Sequence, residues 1–201
     1  MTPRIVSVDL RERFDALEAS RVALLNRLAG LDPRRWVQAP RPGSWSLGEI
    51  AHHLVLAEEE VLRQLREPEA DFGRRQTLRD RFGRALVGWI FRRGIHVKTP
   101  MRSMVPTPGR SLEEIRHAWG SVRSELASYL TTLHEGERTR VIFRHPVAGR
   151  MSIMQTLELI RAHFDDYLRQ VAQTIDALAD TPPPPRAIAT GRTLKKREVE
   201  L

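Results

Sequence analysis

Three serines in this chain each stand three residues ahead of a Glu or Gln, and each opens a run of apolar residues spaced by three and four. Ser46 with Glu49, Ser111 with Glu114 and Ser152 with Gln155 are capping boxes. In such a box the hydroxyl takes the backbone N–H of the third helical residue, while the longer side chain reaches back to the N–H of the serine. Each pair therefore marks a helix start. The stripes behind them are Ile50, Leu54, Ala57, Val61 and Leu65; Ile115, Trp119, Val122, Leu126 and Leu130; and Ile153, Leu157, Ile160, Phe164, Leu168, Val171, Ile175 and Leu178. A period near 3.6 places each set on one face.

An earlier stripe, Leu10, Phe14, Leu17, Leu24 and Leu28, is broken by Arg21. It predicts a helix from Asp9, as N-cap, to Ala29, with Gly30 and Pro33 beyond its end. The other long helices are expected from Leu47 to Glu67, from Ser111 to Leu133, and from Ser152 to Leu178. Between them, Thr77 to Arg93 carries Leu78, Phe82, Leu86 and Trp89 at helical spacing, interrupted by Gly83 and Gly88. We read it as a short or broken helix packed across the bundle. A short extended piece is expected at Val141 to Phe143. Together these segments predict an all-α four-helix bundle with an additional basic helical insertion, and the long connection after the second helix favours a crossover.

One bundle domain is expected over residues 1–180. Residues 181–201, which begin with "TPPPP" and then lack apolar periodicity, are expected to form a disordered tail. The chain has 201 residues, 41% of them hydrophobic and 29% charged, and no apolar run near the roughly 20 residues that cross a bilayer. A soluble, cytoplasmic protein with no membrane partner is the expectation, since "MTPRIVSVDLRERF" has no apolar leader. The absence of cysteine excludes disulfides, thiolate nucleophiles and Cys-bound metals.

A net charge of +8 permits attraction to nucleic acid, anionic lipid or acidic small molecules. The excess is concentrated in the central segment, where Arg74, Arg75, Arg79, Arg81, Arg84, Arg92, Arg93, Lys98 and Arg102 lie, and in the tail. Solvated faces are the plainer expectation, with nucleic-acid binding as an alternative.

The chemistry-bearing residues sit on two helices. His53 lies at the edge of the second helix's apolar stripe, and His52 points toward Leu56 and Glu59, as a solvent-facing or interfacial neighbour. His163 shares a face with Ile160 and Tyr167. Two inward histidines are either satisfied core residues or ligands of a metal held between helices, which needs a third ligand from Tyr167 or Asp166. Glu58, Glu59 and Glu60 are expected to form a solvated face, with Glu60 able to accept a hydrogen bond near His53. His145, before Pro146, is expected to organise its turn, and the four tryptophans are expected to pack. No phosphate loop, Gly-x-Ser-x-Gly or His-Glu-x-x-His is present.

"GSWSLGEIAHHL" resembles the Trp-Ser-x-x-Glu-x-x-x-His-Leu signature in the second helix of the DinB/YfiT-like family. "MSIMQTLELIRAHFDDYLRQV" resembles its final helix, and "FRHPVAGRMS" fits the preceding segment. The resemblance spans most of residues 10 to 178. It implies a four-helix bundle, often dimeric, in which a histidine of the second helix and a His-x-x-x-His pair of the last hold a divalent metal. Some relatives are thiol-dependent transferases or isomerases.

Carried onto this chain, the resemblance puts His53 in the first ligand position, His163 in the second and Tyr167 in the third, where the family has histidine. It leaves three outcomes: Asp166 completes a two-histidine, one-carboxylate site; Tyr167 binds as phenolate or through water; or the metal is absent and Tyr167 hydrogen-bonds a histidine. The implied cofactor is a divalent metal (Zn, Ni, Fe or Mn), the implied partners are a second copy of the chain and a small-molecule thiol or electrophile, and the central arginines would attract that thiol's carboxylates. The expected activity is that of a metal-dependent transferase or hydrolase. The alternative is a non-catalytic small-ligand-binding or stress-response bundle.

Overall fold

Four helices begin or end where the caps and prolines demand. The computed structural model describes residues 8–67, 73, 75–93, 102–179 and 181–182. The helices are α1 (Val8–Ala29), α2 (Leu47–Arg66), α3 (Leu78–Arg93), α4 (Leu112–Thr132) and α5 (Ile153–Ala179). Both capping-box hydrogen bonds form at Ser46 and at Ser111, and Ser152 with Gln155 makes the same pair of contacts. Asp9 is not the cap of α1 but lies in its first turn, because the helix begins one residue earlier. Most of the expected tail, residues 183–201, lies outside the described residues, as do Arg74 and Lys98.

α1 and α2 each pack between α4 and α5, so the bundle is mostly helical as expected. The predicted stripes of α2, α4 and α5 supply its centre, with Ile50, Trp119 and Val171 fully covered. Among the described residues no helix is long and apolar enough to cross a membrane.

The extended piece is a hairpin. β1 (Val141–His145) pairs antiparallel with β2 (Gly149–Ser152), with a bulge between Val141 and Phe143. Its turn is a platform for α3. A Cβ on Gly83 would stand 2.3 Å from the carbonyl oxygen of Val147, so only glycine lets the helix lie this close. Gly149 has φ +75°, and a Cβ there would meet Asp80 Oδ1 at 2.3 Å. Asp80 itself caps α3 by accepting from Thr77 N–H at 2.7 Å, and ties it to the hairpin by accepting from Arg150 N–H at 3.1 Å.

α3 does not dock by its apolar stripe. Asp80, Gly83 and Val87 face inward, whereas the predicted stripe of Leu78, Phe82, Leu86 and Trp89 faces outward. The glycine contact and the carboxylate bridge outweigh the apolar stripe in choosing the buried side.

The expected acidic face of α2 is corrected too. Only Glu59 is exposed. Glu58 is buried and accepts from Arg123 Nη2 of α4 at 2.7 Å, while Glu60 is covered by Arg63 and Gln64. Burial raises the Glu58 pKa, and the opposing pull of Arg123 does not cancel it.

Candidate functional site

α2 and α5 bring His53, His163 and Tyr167 together. His53 Nε2 and His163 Nε2 are 3.4 Å apart, and the Tyr167 ring centroid lies 4.8 Å from each imidazole centroid. Trp45 closes the cluster, with its ring 4.9 Å from His53 and stacked on Tyr167 at 6.3 Å. Phe91 of α3 covers His163 from the other side at 5.4 Å.

The ring chemistry of His53 follows from its partners. Its Nδ1 lies 2.8 Å from the carbonyl oxygen of Met104, which can only accept, so Nδ1 carries the proton and Nε2 offers its lone pair toward His163. His52, expected to face solvent or an interface, is buried within the chain. Its Nδ1 accepts the backbone N–H of Thr107 at 3.1 Å, which fixes the opposite tautomer. Nothing in the sequence announced these contacts, because both partners are backbone groups some fifty residues away.

The cluster is poor in charge. Burial lowers the His53 pKa against the pull of Met104, and it pushes His163 down to about 3, with His53 and His145 nearby adding to the effect. Burial and the Asp166 carboxylate raise the Tyr167 pKa, so the phenol stays protonated. Asp166 does not join the histidines. Its Oδ1 accepts from Arg169 Nη2 at 2.6 Å.

These residues wall a cavity of about 660 Å³, lined also by Val61, Val87, Ile90, Met104, Phe143 and Leu159. That is within the roughly 300–1,000 Å³ of small-molecule sites. His145 lines it as well. Its Nδ1 accepts from Val147 N–H at 3.1 Å and Ala148 N–H at 2.9 Å, as expected of a turn organiser, so its remaining proton sits on Nε2. Glu58 also contributes to the lining, although in sequence it reads as part of a solvated acidic run.

A sequence profile of the DinB superfamily matches residues 16–171. The chain belongs to the DinB superfamily. A crystal structure described as that of TT2238, a four-helix bundle protein, is similar over 81% of this chain and 98% of its own, with a TM-score of 0.52 and 22% identity. That likeness concerns the fold. No protein of curated function matches.

For a DinB bundle the implied metal can be tested on the donors present. Two nitrogens about 2.0–2.1 Å from a tetrahedral zinc ion stand roughly 3.3–3.4 Å apart. The observed separation of 3.4 Å meets that spacing. At the third position stands the Tyr167 phenol, whose pKa burial and the Asp166 carboxylate raise, while Asp166 itself accepts from Arg169. Among the described residues no three His, Asp or Glu side chains are grouped to hold a metal ion.

Proposed function

We propose that this DinB-superfamily protein binds a small, mostly apolar molecule in the cavity between α2, α3 and α5, with His53, His163 and Tyr167 receiving its polar end. The observation that carries the reading is the cavity itself: a mostly apolar space of about 660 Å³ with His53, His163 and Tyr167 gathered at one place in its lining. Apolar walls supply affinity, and a few convergent polar groups fix orientation. His53 Nε2 accepts a hydrogen bond there, Tyr167 donates one, and His145 offers an N–H from the hairpin side.

Displacement of anilinonaphthalene sulfonate from the cavity tests this. Ala57→Phe, which fills the space, should abolish probe binding without unfolding the bundle, and undiminished binding would count against the reading.

One distance favours a second reading. The 3.4 Å separation of the two Nε2 atoms suits a divalent metal, Zn, Ni, Fe or Mn, held by His53 and His163 alone. The protein would then be a metal-dependent transferase or hydrolase acting on a thiol or electrophile. Elemental analysis of untagged protein separates the two: stoichiometric metal that is lost in His53→Ala supports the second reading, and metal-free protein with intact probe binding supports the first.

A further inference from the structure

α3 shows the cavity one face and water the other, and the second is the wrong kind of face for water. Leu78, Phe82, Leu86 and Trp89 are 80%, 72%, 39% and 44% exposed. At 100° per residue these four fall within roughly a quarter turn of the helix. Arg79 borders the strip on one side, and Arg81 and Arg92 border it on the other. Arg93 lies within it, its guanidinium 5.6 Å from the Trp89 ring centroid. All four arginines are exposed, and none pairs with a carboxylate among the described residues. The only acid of α3, Asp80, is buried against the hairpin. The outward surface is thus an apolar strip edged by cations with no anion on the helix to balance them.

That arrangement suits a helix lying in the plane of a lipid interface. Aromatic and aliphatic side chains enter the headgroup boundary, long arginine stems reach back to the phosphates, and tryptophan favours that depth. Anionic lipid adds an attraction for each nearby arginine. A second copy docked face to face would instead set two groups of unpaired arginines against each other.

We propose that α3 is a peripheral membrane-docking element: Phe82 and Trp89 enter an anionic lipid surface, and Arg79, Arg81, Arg92 and Arg93 meet its phosphates. No spanning segment is needed, and the proposal departs from the sequence-based expectation of no membrane partner. The proposal is independent of what the cavity holds.

Flotation of the full-length protein with vesicles tests it. Vesicles of equal parts phosphatidylglycerol and phosphatidylcholine should carry the protein, and pure phosphatidylcholine should not. The double variant Phe82→Ser, Trp89→Ser keeps every charge, including the basic tail, and should lower vesicle affinity at least tenfold with unchanged circular dichroism. Parental affinity in that variant would overturn the proposal by assigning binding to the tail or to net charge. In the unaltered protein, brominated acyl chains should quench the part of the tryptophan fluorescence that comes from Trp89, the exposed one of the four, which serves if the variant fails to fold; unquenched fluorescence in vesicle-bound protein would equally overturn it. So would an absence of vesicle binding together with a dimer that the double variant converts to monomer, because the face would then belong to a second copy.

Discussion

His52 and His53 hold one loop with opposite ring states: His53 Nδ1–H donates to the carbonyl of Met104 while His52 Nδ1 accepts the N–H of Thr107. Adjacent on α2, they clamp residues 104–107 against the cavity, where Met104 and Val105 form part of the lining. Removing His52 leaves the Thr107 N–H without its acceptor. His52→Ala should cost about 1–3 kcal/mol in urea unfolding, the usual penalty for a stranded polar group plus lost packing, with metal content unchanged.

Glycines of α3 divide by what surrounds them. Gly83→Ala places a methyl 2.3 Å from Val147 O and should destabilise by about 1–3 kcal/mol as helix and hairpin separate. Gly88 has Arg92 Nη1 as the nearest atom, at 3.6 Å, the mobile end of an exposed side chain. Gly88→Ala should therefore stabilise by about 0.5–1 kcal/mol, which thermal melts of the two variants will distinguish.

Acid should weaken the join between α3 and the hairpin. Burial raises the Asp80 pKa, but hydrogen bonds from Thr77 and the Arg150 backbone, with the Arg150 charge, win and hold it at about 2 against an ordinary 3.8. Its contribution is therefore complete above pH 4 and is lost as pH falls from 4 toward 2. Asp80→Asn should be less stable at neutral pH and show a flatter acid limb across that window, as followed by circular dichroism.

The Glu58–Arg123 pair is buried on both sides, with Glu58 Oε2 and Arg123 Nη1 lacking hydrogen-bond partners among the described residues. Arg123→Ala should cost about 3–5 kcal/mol because an uncompensated carboxylate remains, whereas Glu58→Leu with Arg123→Met together should recover most of it. A double-mutant cycle in denaturant measures the difference.

Tyr167→His supplies the histidine that the resemblance implies at the third ligand position. If His53 and His163 hold a metal, this change should raise zinc content and affinity at least tenfold, measured by competition with a chelator, and His163→Ala should reverse the gain. Unchanged zinc binding would show that the surroundings, and not Tyr167, decide occupancy.

The sequence made α2, α4 and α5 readable because capping boxes and apolar spacing are local signals, and the inward placement of His53 and His163 followed from those helix phases. The orientation of α3 was not readable. Its apolar spacing describes a stripe, but the buried side is set by Gly83 against Val147 and Asp80 against Arg150, contacts some 64 and 70 residues apart in sequence. The burial of His52 and Glu58 escaped for the same reason, since Thr107 and Arg123 come from other elements. The gathering of His53 with Tyr167 needed only two helices to face each other, which is why it could be anticipated from their phases.

Three imidazoles line the cavity, yet burial pushes His163 down to about 3 and His145 to about 4 and lowers His53 as well. Two of the pocket's ring nitrogen pairs are thus held without charge: His163 and His145 present the same lone pairs and N–H groups to a guest in mildly acidic surroundings as in neutral ones, and burial shifts His53 in the same direction.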